Sequence, residues 1–119
     1  DLGIQARYIY DYGDSWTHTV TLEGYLIKER GVKYPVCIDG ARACPPEDCG
    51  GVQGYKNLRK ILSNSKNKNY KYTIEWLGGK FDPKEFDLGK VNQLLHSENF
   101  GCDWYDYTYN NGELKIVKI

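Results

Sequence analysis

Residues 4–22 read IQARYIYDYGDSWTHTVTL, two runs of aromatic and β-branched residues on either side of DYGDS. The second run alternates strictly. Trp16, His18, Val20 and Leu22 share one face, and Thr17, Thr19 and Thr21 share the other, which is the two-residue period of a strand. Between the runs, Gly13 tolerates tight backbone angles, and Asp11 and Asp14 can hydrogen-bond their own backbone. The spacing therefore predicts an antiparallel hairpin that turns at about Gly13.

Downstream of this hairpin, EGYLIKE (23–29) reads as a continuation of the second strand with Gly24 as a bulge. VKYPVCI (32–38) reads as a third strand with Pro35 at an edge. From about Val52 the period changes, with Tyr55, Leu58, Ile61 and Leu62 at helical spacing and Lys56, Arg59 and Lys60 on the opposite side. The polar connection SNSKNKN (63–69) leads to a second, short helix marked by Tyr70, Ile74 and Leu77. It ends at Gly78-Gly79, where a left-handed cap needs no Cβ, and Trp76 is expected to pack with it. Asp87 is placed to cap a third helix carrying Leu88, Val91 and Leu95 on one stripe with Leu94 beside it. Residues 102–119 alternate aromatic and polar residues and turn at Asn111-Gly112, a strong hairpin signal. The expected fold class is α+β, an antiparallel sheet of hairpins with about three short helices packed on it. No internal repeat is present.

A chain of 119 residues fits one domain, expected here over residues 1–119. Its 40% hydrophobic and 14% aromatic content supports a folded core rather than disorder. No apolar run reaches membrane-spanning length and no basic-then-apolar leader opens the chain, so the expectation is a cytoplasmic protein without a membrane partner. The absence of methionine leads us to expect a processed chain or a piece of a longer one. Sixteen basic and sixteen acidic residues balance, which removes the strongly basic signature of many nucleic-acid binders. The distribution is uneven, however. From Cys49 to Ile74 there are six cations (Lys56, Arg59, Lys60, Lys66, Lys68 and Lys71) and no acid, whereas from Phe81 onward seven acids face four lysines.

Three cysteines fall in residues 34–51, YPVCIDGARACPPEDCGG, at C-x6-C-x4-C spacing. Cys37, Cys44 and Cys49 could ligate zinc with His18, His96 or Cys102 as the fourth donor, but the usual C-x2-C pair is missing. Zinc therefore ranks below reduced, partly buried thiols, no cofactor is expected, and a disulfide ranks lower still. PPED (45–48) reads first as a loop leading into a helix, with Glu47 and Asp48 offering acceptors to free helix N–H groups. His18 reads as a core or groove histidine before a catalytic one, and Asp11 and Asp14 would orient it in the catalytic case. No nucleophile elbow, papain-type cysteine context or phosphate-binding loop occurs. The basic helix with Tyr55, Tyr70 and Tyr72 could follow a phosphate backbone and stack on bases, although a solvated helix face is the commoner use of such a run.

Three blocks, YDYGDSWTHTVTLE (10–23), YPVCIDGARACPPEDCGGVQGY (34–55) and WLGGKFDPKEFDL (76–88), resemble in order successive blocks of the plasmid pRiA4b ORF-3-like family. Members are also described as insertion-sequence passenger proteins of TnpR-like name, and the resemblance spans about residues 8–95. It implies an α+β domain of bacteria and archaea, cytoplasmic and associated with mobile elements, standing alone or appended to other domains. It also implies a further N-terminal half with a β-α-β pattern, so that these residues would match the family's C-terminal portion. No established activity comes with it. The literal resolvase reading of the label needs an activated serine among clustered arginines, and Arg7, Arg30, Arg42 and Arg59 suggest no such cluster.

Two functional expectations follow. The first is a non-enzymatic binding or interaction module with a groove lined by Asp11, Asp14, Trp16, His18, Glu47, Asp48 and Tyr55. Its partner is an unidentified protein or a nucleic acid touched by Lys56, Arg59 and Lys60. The alternative is a metal-dependent hydrolase or nuclease-like enzyme using Asp11, Asp14, His18 and the PPED loop, in which a bound cation activates water.

Overall fold

The computed structural model describes residues 1–101 together with the strands at 105–110 and 113–118. In chain order the elements are β1 (Gln5–Tyr10), β2 (Trp16–Thr21), α1 (Gly51–Leu62), α2 (Tyr70–Trp76), α3 (Leu88–Leu95), a 3-10 turn (Glu98–Gly101), β3 (Tyr105–Asn110) and β4 (Glu113–Lys118). The protein is α+β, as the alternation of strand and helix periods predicts. Its chain divides into two compact units, Asp1–Ile27 with Ala41–Glu85, and Lys28–Gly40 with Phe86–Ile119. Among the described residues no helix is long and apolar enough to cross a membrane.

In the first unit, β1 and β2 form an antiparallel ribbon in which Tyr8 faces His18 and Tyr10 faces Trp16. The predicted alternation holds, since Ala6, Tyr8, Tyr10, Trp16, His18 and Val20 share one face. Outside the strands the ribbon continues through Gly3 N–H to the Leu22 carbonyl (2.7 Å) and Leu22 N–H to the Ile4 carbonyl (2.9 Å). The connecting loop turns at residues 12–14, about Gly13 as expected, with left-handed residues at either end. Asp11 (φ 57°) and Ser15 (φ 55°) adopt the left-handed conformation. Ser15 N–H donates to the Asp11 carbonyl at 2.6 Å, and Gly13 N–H donates to Asp11 Oδ1 at 2.8 Å. An aspartate bonding its own backbone offsets the left-handed strain that a glycine would have avoided.

Helix α1 follows Gly50, whose φ of 90° suits a residue without Cβ. Its inner stripe carries Gly51 and Leu58, and Leu58 is the one buried hydrophobic residue among those described. Thr73 of α2 is likewise buried. Helix α2 ends as its glycines predict. Gly78 (φ 71°) sits in the left-handed cap, Gly78 N–H bonds the Glu75 carbonyl, and Gly79 N–H bonds the Ile74 carbonyl. That pair of bonds is a Schellman closure.

In the second unit, α3 starts as predicted, with the Asp87 side chain accepting from Lys90 N–H at 3.0 Å. Gly40 lies against the Phe86 ring, leaving no room for a Cβ. Backbone pairing of β3 with β4 runs from Tyr105↔Lys118 to Asn110↔Glu113. The expected turn at Asn111-Gly112 lies outside the described residues.

Two expected strands do not form. Residues 23–29 carry no ladder, and Tyr25, Leu26 and Ile27 are exposed, because a β-rich run becomes a strand only beside a partner. Residues 32–38 carry no ladder, bend at residues 34 and 35, and are held by side chains. Cys37 N–H donates to Asn92 Oδ1 (2.8 Å) and the Cys37 carbonyl accepts from Asn92 Nδ2 (2.9 Å). The Pro35 carbonyl lies 3.0 Å from His96 Nε2, and Lys33 Nζ donates to the His96 carbonyl at 2.7 Å. Helix α3 thus supplies the hydrogen bonds that a neighbouring strand would have made.

Candidate functional site

Among the described residues, Trp16, His18 and Glu47 of the expected groove line a smaller recess of the first unit and Asp48 a larger one, while Asp11, Asp14 and Tyr55 line neither. The smaller lies between the ribbon and the PPED loop and is lined by Tyr10, Trp16, His18, Cys44, Pro45, Pro46 and Glu47. Tyr10 Oη donates to Glu47 Oε1 at 3.0 Å, tying strand to loop. That bond, with the nearby carboxylate charge, raises the tyrosine pKa above its ordinary value. His18 is exposed, its ring tilted 5.7 Å from that of Tyr8. Trp16 meets Tyr55 of α1 edge to face at 6.2 Å, Tyr55 meets Phe81 in the same manner at 6.4 Å, and the Arg59 guanidinium stands 5.9 Å from the Tyr55 ring centre. Such edge-on aromatic contacts fix ring orientation as well as burying area.

The carboxylates are engaged locally. Asp11 caps its own loop, and Asp14 Oδ2 accepts from Gly50 N–H at 3.1 Å, immediately ahead of α1. This corrects the expectation for the PPED loop, because the acceptor at the start of α1 comes from the hairpin while Glu47 turns to Tyr10. The approach is close: a Cβ on Gly51 would stand 2.7 Å from the Asp14 carbonyl oxygen. His18 and Glu47 line one recess, while Asp11 and Asp14 are not part of its lining. Among the described residues no three His, Cys, Asp or Glu side chains come together in a group able to hold a metal ion, which is the convergence a metal-dependent hydrolase would need.

Cys37, Cys44 and Cys49 are free thiols. Cys37 Sγ donates to the Asp39 carbonyl at 3.2 Å, and Cys49 Sγ lies 3.9 Å from the Gly51 carbonyl. Burial, followed by the Asp14 charge, raises the Cys49 pKa. Cys102 lies outside the described residues.

The larger recess is a cleft of about 220 Å³ between α1 and α2. Gly54, Asn57, Leu58 and Ile61 line one wall, Tyr72, Thr73 and Trp76 the other, and Asp48 and Cys49 close an end. Tyr72 and Trp76 are exposed. Asn57, Thr73 and Trp76 had no functional role in the sequence reading. The signal that could have found them is the i, i+3, i+4, i+7 set 54, 57, 58 and 61, a helix stripe that mixes apolar residues with an amide. Lys56, Arg59 and Lys60 are exposed on α1.

Compared with known proteins, residues 3–90 match the model of the plasmid pRiA4b ORF-3-like protein family. The chain is 30% identical over 106 residues to the uncharacterized protein y4hQ of Sinorhizobium fredii, covering 87% of this chain and 53% of that protein. Among solved structures it resembles a protein of unknown function, MM3350, from Methanosarcina mazei Go1. The TM-score is 0.69 and the identity 45%, over 72% of this chain and 48% of that one. The chain thus spans about half the length of these relatives.

Proposed function

The chain belongs to the plasmid pRiA4b ORF-3-like family, and on that footing we propose that it is a non-enzymatic binding module whose ligand is single-stranded nucleic acid. One observation carries the reading: the cation-rich, acid-free run from Cys49 to Ile74 holds exposed lysines and the exposed Tyr72, with exposed Trp76 just beyond Glu75. Lys56 and Lys60 are one helical turn apart on α1 and exposed, Lys66, Lys68 and Lys71 follow, and Tyr72 and Trp76 of α2 offer ring faces at the cleft. Cations along a backbone track with aromatic rings for the bases are the two parts of a sequence-tolerant single-strand platform. The family's plasmid name agrees with a setting of mobile DNA; the finer transposon and TnpR-like associations add nothing to the site's chemistry. The candidate groove residues Trp16, His18 and Glu47 belong in this reading to the scaffold that sets α1.

Fluorescence anisotropy with a labelled oligothymidylate tests the proposal. Charge reversal at both Lys56 and Lys60 should weaken binding at least tenfold at low salt and flatten the log affinity–log salt slope by about 1.4, at roughly 0.7 per lost phosphate contact. Unchanged affinity and slope, or no binding by the unaltered chain, would overturn it.

A further inference from the structure

The β1–β2 ribbon carries an apolar face that its own unit covers only at the loop end. There Trp16 leans on Tyr55 and Tyr10 is tied to Glu47. Toward the other end the same face presents Ile4, Tyr8 and Val20, with relative exposures of 56%, 56% and 59%. The opposite face carries Gln5, Arg7, Thr17, Thr19 and Thr21, polar residues suited to solvent, with Ile9 as its one large apolar side chain. Among the described residues β1 and β2 pair only with each other. A two-stranded ribbon is marginal in water unless a third strand or a packed layer covers its apolar side.

We infer that the Ile4–Tyr8–Val20 face is an interaction surface for the portion of the family protein that lies outside the residues matched here. The relatives carry chain beyond the shared part, since the matched region is only 53% of y4hQ and 48% of the Methanosarcina protein. Both carry about as much chain again, and the fold of the shared part persists at a TM-score of 0.69. The occupant's contact is apolar and takes the face rather than the threonine side. The inference is independent of the nucleic-acid reading.

Sedimentation and amide hydrogen exchange test it, using the 119-residue chain and the full-length Methanosarcina relative. The chain should sediment as a monomer, and its β1 and β2 amides should exchange at least about 100-fold faster than their counterparts in the relative, since local protection follows packing. In the chain alone, Val20→Lys should leave the thermal midpoint where Thr19→Lys leaves it. A smaller exchange difference would mean that nothing in the relative covers the face. A dimer whose ribbon protection falls on dilution would give the face to a second copy, and a Val20→Lys loss of stability beyond that of Thr19→Lys would mean that it is already covered. Each of these results overturns the inference.

Discussion

At the junction of hairpin and helix, the identity of single residues is set by distances of a few ångströms. Gly51 combines a φ of 65° with an Asp14 carbonyl 2.7 Å from where a Cβ would stand, whereas Gly78 has a similar φ of 71° and open space around it. Gly51→Ala should therefore cost more than the roughly 1–3 kcal/mol of a strained backbone, while Gly78→Ala costs only the strain; urea unfolding of the two variants gives the difference. Tyr10 makes a second residue-scale prediction. Its folded pKa is raised first by the Glu47 hydrogen bond and then by that carboxylate's charge. A raised acid contributes stability that is fully present below the unfolded pKa and is lost as pH climbs through the folded value. The unfolding midpoint should start to fall as pH passes the ordinary tyrosine value of about 10 and go on falling above it, with Tyr10→Phe flattening part of that fall. Neither pairing was legible in the sequence, because Asp14 meets Gly50 across 36 positions and Tyr10 meets Glu47 across 37. Local turn chemistry at Asp11 was legible, since a carboxylate that bonds two residues ahead needs no distant partner.

Elements with local signals came through the sequence faithfully. The Asp87 cap, the Gly78-Gly79 closure and the helical stripe of α1 each depend on residues within about two turns of one another. The stretches 23–29 and 32–38 misled because β propensity measures how a side chain fits a pleated surface, and it does not say whether a neighbouring strand exists. Asn92 is the residue that replaces that neighbour. Its amide bonds both the N–H and the carbonyl of part-buried Cys37, so Asn92→Ala should cost about 1–3 kcal/mol by stranding two backbone groups. Amide exchange at Cys37 should quicken accordingly, and Asn92→Asp, which keeps the acceptor and loses the donor, should fall between the two.

Across the whole chain, net charge concealed what position reveals: the sum is zero, yet the cations concentrate on α1 and the connection that follows it. The cleft between α1 and α2 was only half legible, since periodicity identifies a helix's inner face but cannot tell a tight contact from an open one. Family membership was legible from three ordered blocks, and the site's arrangement was not, because Asp11 and Asp14, close to His18 in sequence, bond their own loop and the start of α1 instead. Pro35 and Cys37 are two residues apart, and their partners, Asn92 on α3 and His96 at its C-cap, are four apart. The later position of one stretch meets the earlier position of the other, so the two run in step in opposite directions like the teeth of a ruler and a gauge. Side chains there can be exchanged one at a time, but adding or dropping a single position between 35 and 37, or between 92 and 96, shifts the two scales out of phase. Chain length in these two short intervals is thereby fixed more firmly than composition, while 23–29, with no matching scale beside it, is free to lengthen.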